Sequence, residues 1–316
     1  MVALTMKHDK FARVNQCIRV AAREAAEHGL SASVVERFLR TGDRTWDGAG
    51  SGRFSPGQFK EDEVYSRAVK TALRALFCHL GELLPAEPRL KPEVASEEIQ
   101  RHLEPMVMGL VQSDWQDVAL RELTARTFVL NFQGAAAALD TELSSGYVGG
   151  DTTGWRILWV CFDDYGLKPE RIKMPFDGVA SNFAHVRWSS YQTKDPYSDV
   201  VIHEAAHLLH YLKPCHYALH VGRHQERFVD VEFRHYELFA FACEAYSRVV
   251  QHGGRSSRIS FAGQMLEGAF SFPRNQMEEL AALVLKAAHA RNGWRVIREA
   301  TVIRRIRKQP NVLTKS

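Results

Sequence analysis

His203-Glu204-Ala205-Ala206-His207 is the stretch of this chain best equipped for chemistry. On a helix, residues four apart project from one face, so two imidazoles from neighbouring turns can approach one divalent cation. Zinc takes neutral imidazole nitrogens in tetrahedral array. The carboxylate of Glu204, beside the first histidine, is placed to take a proton from a water that such a cation activates. The flanks suit a core helix: Val200, Val201 and Ile202 come before, Leu208 and Leu209 after. The competing reading is two histidines satisfied by ordinary hydrogen bonds. Chance alone supplies only about 0.04 such motifs in a chain of this composition.

A hydrolytic zinc site takes three protein ligands and keeps one position for water. The extended pattern HExxHxxGxxH needs glycine at 210 and histidine at 213, where this chain has His210 and Lys213. The segment 235–248 reads as a later helix carrying Glu237 and Glu244 on one face, with Ala240 and Phe241 between them. Carboxylates on an otherwise core-like face are costly unless paired or metal-bound. Rival ligands are Asp230 and the stripe His216, His220 and His224, although Pro214 and Gly222 favour a broken loop there. Arg248, one turn beyond Glu244, offers a plain ion pair instead. His235, Tyr236 and Tyr246 are candidate donors to a developing oxyanion.

The run V-V-I-H-E-A-A-H-L-L (200–209) resembles the active-site helix of the zincin metallopeptidases, down to the uncharged residues between the histidines. The resemblance implies one catalytic Zn2+, ligated by His203 and His207, with Glu204 as general base. The order E-L-F-A (237–240) is similar to the head of the third-ligand helix in glutamate-ligand zincins (gluzincins), notably the lethal-factor-like and ImmA/IrrE-type groups. That implies Glu237 as third ligand. It leaves Glu244 either to hold the far N–H of a ligand histidine or to serve as the alternative ligand. Thermolysin-like gluzincins carry an acid four residues past the ligand, where this chain has Phe241. The resemblance does not extend to residues 1–145.

Around this site the expected fold class is α+β: a mainly helical region over 1–145, then a zincin-like catalytic domain over 146–316. That domain would hold a small mixed sheet, the active-site helix, the ligand helix and a basic C-terminal helix or tail. Helical periodicity covers 7–41, 61–83 and about 96–143. Residues 42–57 read as a glycine-rich loop without a phosphate-binding ending, and the three prolines in 84–93 as a linker. W-R-I-L-W-V-C-F (155–162) reads as a buried strand, with shorter strands over 171–174 and 184–190. The last of these lies where zincins offer an edge strand to an extended peptide. In D-P-Y-S-D (195–199), Asp195 is the expected N-cap, with Pro196 in the first turn and Asp199 close by.

No apolar run is long enough to span a bilayer, and the first residues lack the pattern of a secretory signal. A cytoplasmic protein with no membrane span is the expectation. Cys17, Cys78, Cys161, Cys215 and Cys243 are scattered and form no CxxC, which argues against a disulfide framework or a zinc ribbon. From Arg291 onward there are eight Lys or Arg against the single acid Glu299, so this segment carries +7 of a net +4 and the rest is negative. Its cluster R-R-I-R-K (304–308) reads first as the solvated face of a terminal helix with a frayed end; the competing reading is a surface for nucleic acid, anionic lipid or an acidic partner. The expected function is a zinc-dependent endopeptidase acting on a specific protein or peptide substrate. The alternative is a non-catalytic, regulatory zincin-scaffold protein that binds nucleic acid or a protein partner through the basic segment.

Overall fold

The computed structural model describes residues 2–43, 58–145, 150–169, 171–174, 177–180, 182–221, 225–265 and 277–302. In chain order these form α1 (Val2–Ala26), α2 (Ala32–Thr41), α3 (Gln58–Glu82), α4 (Ala86–Leu90), α5 (Ser96–Leu110), α6 (Gln116–Ala125) and β1 (Thr127–Leu130). Next come α7 (Phe132–Ser144), α8 (Gly150–Asp164), β2 (Gly178–Ala180), β3 (Ala184–Arg187) and α9 (Trp188–Tyr191). The chain continues with α10 (Val200–Tyr211), α11 (Tyr236–Gln251), α12 (Arg255–Gln264), α13 (Met277–His289) and α14 (Gly293–Thr301). The class is α+β, mostly helical, with one three-stranded sheet. Apart from Gly42 and Asp43, the glycine-rich stretch lies outside the described residues, as does the basic cluster 304–308. Among the described residues no helix is long and apolar enough to cross a membrane.

The chain divides into two compact units, each built from separated stretches. The first holds Met1–Ala95, Phe128–Val179 and His185–Gln192; the second holds Ser96–Thr127, Ala180–Ala184 and Thr193–Ser316. These boundaries fall elsewhere than residue 145, with α5 and α6 grouped with the C-terminal helices and α7 and α8 with the N-terminal ones.

In the first unit the core gathers Ile18, Phe38, Leu73, Leu76, Trp159 and Phe162 from α1, α2, α3 and α8. Each such side chain removed from water contributes about 1.5–3 kcal/mol. The stretch 155–162 is not the strand expected from its aromatic and β-branched content but the body of α8. Ile157 through Phe162 are buried without a break, so this part of the helix is enclosed on all sides, while Arg156 just before it is exposed. An apolar run of that length does not separate a buried strand from a buried helix. The four-residue spacing of Trp155 and Trp159 was the helical signal: both indole N–H groups donate to the Leu39 carbonyl at 2.9 Å. The supposed linker contains α4, and 171–174 is not a strand.

The sheet order is β1-β3-β2. The connection between β2 and β3 is too short for a parallel crossover, so the two form a hairpin. β3 is therefore the central strand, and its backbone is hydrogen-bonded on both sides. The expectation that 184–190 offers a free edge to a peptide fails for that reason, and the segment turns into α9 after Arg187.

In the second unit α11 is the hub, packed by α5, α10, α12, α13 and α14. This explains why Leu238, Phe239, Ala240, Ala242, Cys243, Ala245 and Val249 are buried on nearly every side of it. The chain entering α11 is pinned from α14: Val231 bridges to Val302, and the Glu232 N–H donates to the Thr301 carbonyl at 3.0 Å.

Candidate metal centre

α10 begins at Val200, four residues later than Pro196 suggested. Its N-cap is Asp199, whose carboxylate accepts the Ile202 N–H at 3.3 Å. Asp195 caps nothing helical; its carboxylate accepts the Tyr197 N–H in the preceding turn. Val201 through His210 are all buried, so the polar side chains of α10 face a protein interior. There they need partners.

The partners come from α11. His203 Nε2 and His207 Nε2 lie 3.2 Å apart, and Glu237 Oε2 is 3.8 Å from the first and 3.6 Å from the second. These three ligand atoms lie within 4.8 Å of one another, and among the described residues no other group of three meets that spacing. A tetrahedral zinc with Zn–N bonds of about 2.0–2.1 Å sets two ligand nitrogens about 3.3 Å apart. The imidazole separation matches this, and the carboxylate sits slightly wide of it. The Glu237 side chain is 60% exposed, so the group opens to solvent on the carboxylate side.

Glu244 stands behind His203. Its Oε2 is 3.0 Å from His203 Nδ1, and its Oε1 accepts the Ser198 hydroxyl and the Asp199 N–H, each at 2.9 Å. A carboxylate only accepts, so Nδ1 carries the proton and Nε2 is the nitrogen turned toward His207 and Glu237. Burial opposes charge on His203. The Glu244 hydrogen bond and the charges of Glu244, Glu204 and Glu237 outweigh it and raise the imidazole's pKa. Glu237 is shifted the other way, below the usual carboxylate range, by its hydrogen bond to His207 against partial burial. Glu204 is buried next to His203 and acts on it electrostatically. His207 lacks an equivalent lock: among the described residues its Nδ1 has no hydrogen-bond partner.

Aromatic rings fix the imidazoles from the side. Phe241 packs edge-on to His203 at 4.3 Å, and Tyr236 stacks on His207 at 4.7 Å. Burial and the adjoining Tyr211 hydroxyl raise the Tyr236 pKa, so its hydroxyl stays protonated. The other two donor candidates serve elsewhere. His235 lies 3.6 Å from Glu232, and Tyr246 packs its ring on Trp294 of α14 at 4.8 Å with its hydroxyl at the Gly293 backbone.

The rival ligands do not join the group. His216 lies in the short 3-10 turn Pro214–Tyr217 and His220 on the irregular stretch after it, both exposed, and Asp230 is not among the converging residues. His224 lies outside the described residues. His210 is structural: it accepts from Arg227 at Nε2 and donates from Nδ1 to the Val229 carbonyl, and burial lowers its pKa to about 4. Arg248 does not pair with Glu244. Its Nε donates to the Ser198 carbonyl at 2.8 Å and lies 3.8 Å from Asp199. Sequence reasoning missed Ser198, Ser247 and His102, all of which meet the Asp199–Glu244 pair. Only Asp199, a polar residue directly before an apolar run, carried a local signal. None of the protein-family models, curated proteins or solved structures compared with this chain matches it.

Proposed function

We propose that the chain is a zinc-dependent peptidase of the zincin type, holding one catalytic Zn2+ through His203, His207 and Glu237 and hydrolysing a protein or peptide substrate. The observation that carries the reading is the meeting of the three ligand atoms within 4.8 Å, two of them at a separation that fits tetrahedral zinc. A carboxylate aligned behind His203, of the kind that commonly fixes the tautomer of a metal-bound histidine, supports it further.

Zinc held there would supply Lewis acidity and would make a water more acidic. Glu204 would serve as the general base, accepting a proton from the attacking water on its carboxylate and passing it to the leaving amine. Glu244 keeps His203 in the tautomer whose Nε2 can ligate. Tyr236, stacked on a ligand ring and protonated, is the donor we assign to the oxyanion of the substrate carbonyl.

The test is Glu204→Gln, purified with zinc and assayed on a peptide library by mass spectrometry. Zinc content should stay at the wild-type level while cleavage falls by about 10²–10⁴-fold, the range for losing a general base. Wild-type cleavage by that variant, or a wild-type protein that retains no zinc after dialysis, would sink the reading.

A further inference from the structure

Behind the metal centre, a chain of hydrogen bonds runs from α10 to a histidine on α5. Glu244 Oε1 accepts the Asp199 N–H, while Oε2 meets His203. The Asp199 side chain, 1% exposed, meets His102 Nε2 at 3.0 Å through Oδ2. The same oxygen accepts the Ser247 hydroxyl at 3.2 Å. The side chains of Asp199 and Glu244 are therefore both buried, linked through the Asp199 backbone N–H.

Such a pair needs cations, because an uncompensated buried charge is strongly destabilising. Two face Asp199: His102 from α5 and the more distant Arg248 from α11, its Nε at 3.8 Å. Around His102 itself stand Asp199 at the start of α10, Arg248 on α11, and Glu98 and Arg101 on its own helix. The hydrogen bond that His102 donates to Asp199 outweighs burial and raises the pKa of His102, so its charge persists to higher pH than in a free histidine.

Resting on the metal reading above, we propose that His102 is a positioning residue for the zinc site: its imidazolium neutralises Asp199 and so holds the N-cap of α10 and the Glu244 carboxylate that orients His203. Without this cation, the Asp199 side chain is relieved by turning away from Oδ2's partners. That change disturbs the cap on whose backbone N–H Glu244 rests. His102 touches neither substrate nor metal ligand in this role; it acts through two carboxylates.

Zinc affinity, read by competition with a chromophoric chelator between pH about 6 and about 9, tests this across the range in which histidine titrates. His102→Gln should bind zinc about tenfold more weakly than wild type at the acidic end, the low end of the effect of losing an outer-shell partner. The gap should close as pH rises and wild-type His102 loses its proton. His102→Lys, which keeps the charge, should retain affinity at the alkaline end where the wild type weakens. Equal affinity of wild type and His102→Gln across the range would overturn the inference. So would an equal, pH-independent loss in both variants, which would mark a packing role. If His102→Gln does not fold, the comparison of wild type with His102→Lys decides alone. A wild type that binds no zinc refutes the metal reading itself, a distinct result seen before any variant is made.

Discussion

At the scale of residues, the site depends on which nitrogen of His203 carries a proton. Glu244 decides this, because a carboxylate oxygen 3.0 Å from Nδ1 can only accept. Glu244→Gln tests the point with little change of volume. If the amide oxygen stays with Ser198 and Asp199, its NH2 faces Nδ1 and demands the opposite tautomer. If the amide flips, the NH2 instead faces two donors. Either way zinc affinity should fall by about 10–100-fold, measured by chelator competition, with the far-ultraviolet circular dichroism unchanged. An unaltered affinity would remove Glu244 from any role in orienting the ligand.

At the scale of elements, α10 and α11 hold the site because each is fixed from outside the group. Asp199 caps α10. α11 sits in a cage of helices, and α14 pins the chain that leads into it. The close fit of α14 on α5 is part of that cage. A Cβ added at Gly109 would stand 2.2 Å from Cγ of Trp294. Overpacking of this kind costs about 1–3 kcal/mol, whereas Gly-to-Ala in a helix returns at most about 1 kcal/mol. The indole is a rigid ring packed on Tyr246 and cannot move aside cheaply. Gly109→Ala should therefore lower Tm in thermal denaturation; a raised Tm would show that α5 and α14 separate freely.

At the scale of the whole molecule, the first unit carries its own buried polar pair. Glu142 and His185 lie 3.6 Å apart, and burial pushes the carboxyl up to about 7 and the imidazole down to about 3. Between those values both are neutral. A carboxyl with a raised folded pKa stabilises the fold at low pH, and that contribution is lost as pH rises from the ordinary carboxylate value toward 7. Above that, the folded state bears a buried charge. Glu142→Gln should thus raise stability relative to wild type at pH about 8, by on the order of 2 kcal/mol, and change little at pH about 5. Urea titrations at the two pH values check it, and a variant equally destabilised at both would show that the carboxyl is not the source of the pH dependence.

The sequence alone determined what is local. The spacing of His203 and His207 placed two imidazoles on one helical face, and the apolar flanks made that helix a core element. Both follow from a repeat that a short window contains. The same window misled at 155–162, where the helix is enclosed on every side from Ile157 to Phe162 and loses there the polar stripe that would reveal its period. Tertiary structure decided the rest: that Glu237 rather than His216 or Asp230 meets the two imidazoles, that Glu244 stands behind His203 and not against Arg248, that His102 reaches Asp199, and that β3 is central. Each is a meeting of segments far apart in the chain. Such meetings are set by how whole helix and strand faces are buried, and no local spacing records them.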